Sequence, residues 1–187
     1  MARAAAHRQL TYDDLLAMPE DGLRHELIDG EHYVTASPNT RHQRVSGRLH
    51  LEIGLFLRNH PVGELFAAPY DVYFSPTDVV VPDLVFIARE HLQRVTERNL
   101  QGAPDLAIEI LSPSTSGVDE GVKRRLYERQ GVAEYWLVDP FVDEVKVFRR
   151  RMGKKLALAA ELSSEDGDRL TTPLLPGLAI PLAEIFA

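Results

Sequence analysis

At 187 residues the chain is long enough for one domain that buries about 70% of its unfolded surface, and 44% hydrophobic against 26% charged residues is a globular rather than a disordered balance. It has no cysteine, which excludes disulfides, thiolate zinc sites and a cysteine nucleophile, and no apolar run of membrane-spanning length. A formal net charge of −7 argues against binding nucleic acid over the whole surface, because that affinity comes from Lys and Arg contacts; a local basic face has to compensate.

Residues 1 to 9 are small and basic, but no apolar signal core follows them, so the cytoplasm is the expected compartment. Thr11, with Asp14 three residues on, marks the start of a short helix that Pro19 and Gly22 end. Residues 24–28 and 31–34, joined by Asp29-Gly30, predict a hairpin. Ser37-Pro38-Asn39-Thr40 opens a helix that runs to about Asn59, with Val45, Leu49, Ile53, Phe56 and Leu57 at helical spacing. Strands are predicted over 64–74, 79–88, 105–111 and 134–139, with a helix over 119–130 before the last. A strand at 144–150 pairs with its predecessor through a turn near Asp143. From residue 151 the glycines and prolines predict a small hairpin and a closing segment. The order implies a single domain over 1–187, a mixed sheet with helices packed on its faces.

Two of the predicted strands carry a carboxylate where apolar side chains are expected. Alternation in 105–111 puts Asp105, Ala107, Glu109 and Leu111 on one face and Leu106, Ile108 and Ile110 on the other. In 79–88 it puts Asp83 in a row with Val79, Val81, Val85 and Ile87, where an ionised group needs a partner or a metal. Lys123 is the only lysine in the first 145 residues, in a chain whose basic side chains are nearly all arginine. Asp119, Lys123 and Tyr127 form a helical stripe beside the packing stripe of Val118, Val122 and Leu126, so Lys123 can reach along the sheet toward Glu109.

Two strand carboxylates and a lysine are a minimal kit for metal-dependent phosphodiester hydrolysis. Asp83 and Glu109, helped by the main-chain carbonyl of Ile110, offer the hard oxygens that Mg²⁺ or Mn²⁺ prefers. Lys123 orients or deprotonates the attacking water, or balances charge, and proximity to a cation is expected to ease its deprotonation. Taken singly, each residue has an ordinary explanation, as a surface carboxylate or a snorkelling lysine. Glu26 and His42 are second-tier candidates. Arg41, Arg44 and Arg48 fall on one side of the long helix, either to meet phosphates or as a solvated face. Ser112-Pro113-Ser114-Thr115-Ser116 lacks a Gly-x-Ser-x-Gly elbow and reads as turn chemistry, and the histidine spacing does not fit a zinc site.

Several segments together resemble a large bacterial family of putative restriction endonucleases, a branch of the PD-(D/E)xK nuclease superfamily. They are HELIDGE at 25–31, SPNTRHQRV at 37–45, VVPDLVFI at 80–87, PDLAIEILSPSTS at 104–116, KRRLYERQGVAEYWLVDP at 123–140 and LPGLAIPLAEIF at 175–186. The resemblance maps the two acidic residues of the superfamily signature to Asp83 and Glu109. Where the signature has lysine, two residues after the glutamate, stands Leu111; the lysine moves to the following helix as Lys123. The resemblance implies a restriction-endonuclease-like mixed sheet flanked by helices, a divalent cation and a homodimer.

The reading is a Mg²⁺- or Mn²⁺-dependent endonuclease acting on DNA. The alternatives are a catalytically inactive scaffold of the same fold, which the acidity favours, and an RNA-directed nuclease. The apolar tail from Leu174 to Ala187 is a further reason to expect a homodimer.

Overall fold

The structure, a computed structural model, describes residues 8–35, 37–113, 116–151 and 155–187. Ser114 and Thr115 of the serine-rich loop, and Gly153 of the tail, lie outside them. Among the described residues no helix is long and apolar enough to cross a membrane.

The N-terminal signals act as their chemistry predicts. Thr11 caps α1 (Tyr12–Leu16), and its reciprocal bond with Asp14 completes a capping box. β1 (Arg24–Ile28) and β2 (Glu31–Thr35) pair antiparallel. Their turn residues Asp29 and Gly30 both have positive φ, 54° and 74°, the geometry of the tight turn that asparagine, aspartate and glycine favour. The Asn39 side chain accepts the His42 N–H at 2.9 Å and starts α2 (Thr40–Asn59), which buries Val45, Leu49, Ile53 and Leu57.

Two predicted strands are each split in two. The segment 64–74 becomes β3 (Gly63–Ala67) and β4 (Asp71–Ser75), and 79–88 becomes β5 (Asp78–Val80) and β6 (Leu84–Ala88). Proline explains both breaks, since Pro69 and Pro82 lack the N–H that a ladder needs. At the second break the preceding Val81 N–H is also diverted, to the Glu26 carboxylate at 2.7 Å. Each break moves the chain between sheets, so there are two large sheets rather than one. Asp83 therefore lies on the corner between β5 and β6, not in a strand row with Val79 and Val85.

The chain continues through a 3₁₀ turn (Arg89–Arg94), β7 (Asn99–Gln101), β8 (Leu106–Ile110), a π-helical turn (Val118–Lys123), α3 (Arg124–Gln130), β9 (Glu134–Asp139), β10 (Glu144–Arg150), β11 (Leu156–Ser163), β12 (Arg169–Leu170), β13 (Ile180–Pro181) and α4 (Leu182–Phe186). One sheet has the order β2-β1-β5-β4-β7 and the other β11-β10-β9-β8-β6-β3, with β12 and β13 as a small hairpin. In the six-stranded sheet β8 and β9 are parallel and the other neighbours antiparallel.

Each face of that sheet has its own core. Leu106, Ile108, Trp136 and Val138 pack with α2 and α4; Ala107, Tyr135 and Leu137 pack with Leu126 and Tyr127 of α3 and with Val72 and Val80 of the other sheet. The tail belongs to the first core through Leu175, Leu178, Ile180, Leu182, Ile185 and Phe186. It is thus consumed within its own domain and supplies no exposed strip for a dimer.

Gly63 on β3 packs against β6. A Cβ built there lies 2.3 Å from the Ile87 carbonyl oxygen and 2.6 Å from the Phe86 ring. Gly63→Ala is expected to lower stability by about 1–3 kcal/mol through overpacking. Gly47→Ala, in open space on α2, is expected to raise it by up to about 1 kcal/mol. Urea unfolding of the two variants checks the pair, and an equal response in both defeats the packing argument.

Candidate active site

Asp83, Glu109, Lys123, Ile110 and His42 line one cleft of about 120 Å³, together with Arg24 and Asp119. The corner after β5 delivers Asp83, the end of β8 delivers Glu109 and Ile110, and the π-helical turn delivers Asp119 and Lys123. Asp83 is 4% exposed, Glu109 1% and Lys123 3%. Such burial makes every carboxylate in the cleft dependent on donors for its charge.

Asp83 is held from three sides. Its Oδ1 accepts from the Arg24 guanidinium at 3.0 Å, and its Oδ2 accepts from the Ile110 main-chain N–H at 2.8 Å and from His42 Nε2 at 3.1 Å. Burial by itself pushes the Asp83 carboxyl up, but the His42 bond, the Arg24 charge and the Ile110 N–H outweigh it and hold the group below the usual carboxylate range.

Glu109 is arranged differently. Its Oε1 accepts both the Tyr127 hydroxyl at 2.5 Å and the Lys123 ammonium at 3.1 Å, and no donor to Oε2 is found among the described residues. Burial, with Asp119, Asp83 and Glu26 nearby, drives the Glu109 carboxyl well above its ordinary range in spite of Lys123. Glu26 contributes Oε1 to Lys123 at 2.8 Å, and Asp119 contributes Oδ1 at 3.5 Å.

Lys123 is therefore surrounded by three carboxylates. Burial favours the neutral amine, but Glu109, Glu26 and Asp119 together reverse that and raise the Lys123 pKa above its ordinary value. The three carboxylates hold the group as an ammonium, in a geometry that suits charge balance; the easier loss of its proton was expected beside a bound cation, which opposes them.

Asp83, Glu109, Lys123 and Ile110 line the same cleft, with His42 in its wall and Glu26 adjoining it through Lys123. Sequence spacing passed over Arg24, at the edge of the segment 25–31, and the hydroxyl of Tyr127. The stripe of Asp119, Lys123 and Tyr127 carried the signal for Tyr127, since side chains four apart reach the same neighbour.

The arginines of α2 do not reach the cleft. At about 100° per residue, Arg41, Arg44 and Arg48 lie roughly half a turn from His42, Gln43 and Ser46, which line the cleft and the groove beside it. Arg41 donates to the Pro140 carbonyl at 2.6 Å and to Asp143 at 2.5 Å, and Arg48 donates to the Ile185 and Ala187 carbonyls. Arg44 is exposed. None of the three meets a phosphate bound at Asp83.

The donor set suits a hard divalent cation. Four carboxylates, Glu26, Asp83, Glu109 and Asp119, face two permanent cations, Arg24 and Lys123, leaving two negative charges when all are ionised. Oxygens remain for coordination, Oε2 of Glu109 among them. Among the described residues no three His, Asp or Glu side chains form a ready metal cage. An ion there would complete its shell with main-chain oxygen, water and substrate phosphate, as Mg²⁺ commonly does.

Lys123→Met keeps much of the side-chain volume and removes the charge. It is expected to destabilise the fold by about 3–5 kcal/mol near neutral pH, because it leaves buried carboxylates uncompensated. Glu109, already raised by burial, loses the one charge that lowers it, so its folded-state pKa lies further above the unfolded value, and the loss grows as pH rises above the ordinary carboxyl range and shrinks on acidification. Thermal melts from pH 4 to 8 read this; a pH-independent loss would point to packing instead.

Comparison with known proteins identifies the fold and the family. The fold is shared with a putative nuclease belonging to DUF820 from Anabaena variabilis, at a TM-score of 0.78 and 21% identity over 95% of this chain and 97% of that one. No curated protein matches the chain significantly. The sequence profile of the Uma2 family, described as putative restriction endonuclease, matches residues 12–183, nearly the whole length including all four carboxylates of the cluster, and the chain belongs to that family.

Proposed function

We propose that the chain is a Mg²⁺- or Mn²⁺-dependent nuclease hydrolysing DNA phosphodiester bonds, with Asp83, Glu109 and the Ile110 carbonyl as metal ligands. One observation carries the reading: two buried carboxylates from separate elements converge on a cleft where four carboxylates meet two permanent cations. A bound ion supplies Lewis-acid stabilisation of the scissile phosphate and a water of lowered pKa.

The remaining residues hold this pair in place. Arg24 and His42 orient Asp83 through opposite oxygens. Tyr127 and Lys123 share Oε1 of Glu109 and so leave Oε2 for the ion. Glu26 ties the Lys123 ammonium to the Val81 N–H, which fixes the corner bearing Asp83. Lys123 itself offsets negative charge at the phosphate without taking a proton. A non-catalytic scaffold is the second reading, favoured by the net charge of −7 and by a cleft whose two cations are already paired with carboxylates.

Mn²⁺ or Mg²⁺ at about 100 times its dissociation constant is expected to stabilise the protein by about 2.7 kcal/mol, seen as a rise in melting temperature that Asp83→Asn and Glu109→Gln abolish. With either metal the parent is expected to nick supercoiled plasmid, and with EDTA it is not. Both variants are expected to be slower by about 10²-fold or more, the scale of losing a major electrostatic contribution at the phosphate. A metal-dependent melting shift without cleavage selects the scaffold, and cleavage of single-stranded RNA alone selects the RNA-directed reading.

The family resemblance also supports a homodimer. Light scattering at micromolar concentration is expected to give twice the mass of the 21.0 kDa chain; a monomer mass discards it.

A further inference from the structure

A wider groove of about 450 Å³ opens from the carboxylate cleft, and the two share Arg24, Thr35, Ser37, Pro38, His42 and Asp83 as walls. The groove continues past His25, Gln43 and Ser46. Its chemistry is unlike that of a surface for a continuous polyanion. Arg24 is bound to Asp83 and to the Val81 carbonyl, and both ring nitrogens of His25 are engaged, with Asp21 and His32. Asp71 adds a carboxylate to the wall.

Hydrogen bonding is what the groove offers. The side chains of Thr35, Gln43 and Ser46, all in its wall, make no hydrogen bond to another described residue. His42 lines the groove with its Nε2 committed to Asp83 and its Nδ1 enclosed by protein, so it adds no cation to the groove.

Duplex DNA is recognised first through its outward phosphates, at one charge per ~1.7 Å, while its pairing edges are already used. A groove with no uncommitted cation has little to hold such a lattice. An unpaired nucleotide instead presents free base-edge donors and acceptors, and a ring face that can lie on Pro38 or His25. We propose that this groove receives the unpaired nucleotide adjoining the scissile phosphate, so that the substrate class is single-stranded or locally unpaired DNA rather than continuous duplex. The proposal rests on the nuclease reading above.

The test is fluorescence anisotropy in Ca²⁺ with three labelled probes: a single strand, its blunt duplex, and the same duplex with a short unpaired bulge. The single strand and the bulged duplex are expected to bind at least about tenfold more tightly than the blunt duplex, a margin of two or more hydrogen bonds. Ser46→Trp, which fills the groove, is expected to remove that preference while leaving the Mn²⁺-induced rise in melting temperature intact. Gln43→Ala, a milder change on the exposed side, is expected to weaken single-strand binding by about threefold to tenfold. Equal or tighter binding of the blunt duplex, unchanged single-strand binding by both variants, or no binding of any probe overturns the inference. The Mn²⁺ melting shift reports on the carboxylate site separately, so its loss identifies failure of the nuclease reading rather than of the groove.

Discussion

The Lys123 ammonium joins three parts of the fold that no ladder of main-chain hydrogen bonds connects. Through Glu26 it reaches β1 of the five-stranded sheet, through Glu109 it reaches β8 of the six-stranded sheet, and through Asp119 it holds the π-helical turn from which it projects. Charge buried this deeply requires a partner of opposite sign in good geometry. The angle between the two sheets and the position of the turn are therefore coupled to one side chain. Glu26 extends that coupling to the Val81 N–H, and so to the corner where Asp83 sits.

The same cluster explains why the candidate ligands behave differently although both are buried. Asp83 receives a guanidinium, an imidazole and a main-chain N–H, enough to keep its charge. Glu109 is fully buried beside Asp119, Asp83 and Glu26, and one ammonium shared among carboxylates does not offset this, so its proton affinity is raised. The unbalanced negative charge is concentrated where a divalent ion would relieve it. This also separates charge supply from proton transfer: a lysine stabilised by three carboxylates is a strong counter-ion and a poor base.

Charge elsewhere is arranged so that the cleft faces away from the arginines of α2. The helix turns Arg41, Arg44 and Arg48 to the far side, where two of them bind carbonyls of the β9–β10 turn and the C-terminus. The groove beside the cleft has uncharged side chains such as Thr35, Gln43 and Ser46 in its wall, and its one arginine, Arg24, is bound to Asp83.

Local chemistry made much of this legible in the chain. The Thr11 capping box, the Asp29-Gly30 turn, the cap at Asn39 and the apolar stripe of α2 depend on near neighbours, and each stands where its residues predicted. Alternation in 105–111 set Glu109 on the face opposite Ile108 for the same reason, because a strand's period is a local property. Tertiary structure decided the rest. The predicted strand over 79–88 ran through Pro82, and nothing local showed that Glu26, 55 residues away, would take the Val81 N–H where the chain passes into a second sheet. The protonation of Lys123 depended on how many carboxylates arrived from other elements, and the fate of the apolar tail on whether the core had room for it. Burial and long-range charge are properties of the assembled layers, and no window of neighbouring residues contains them.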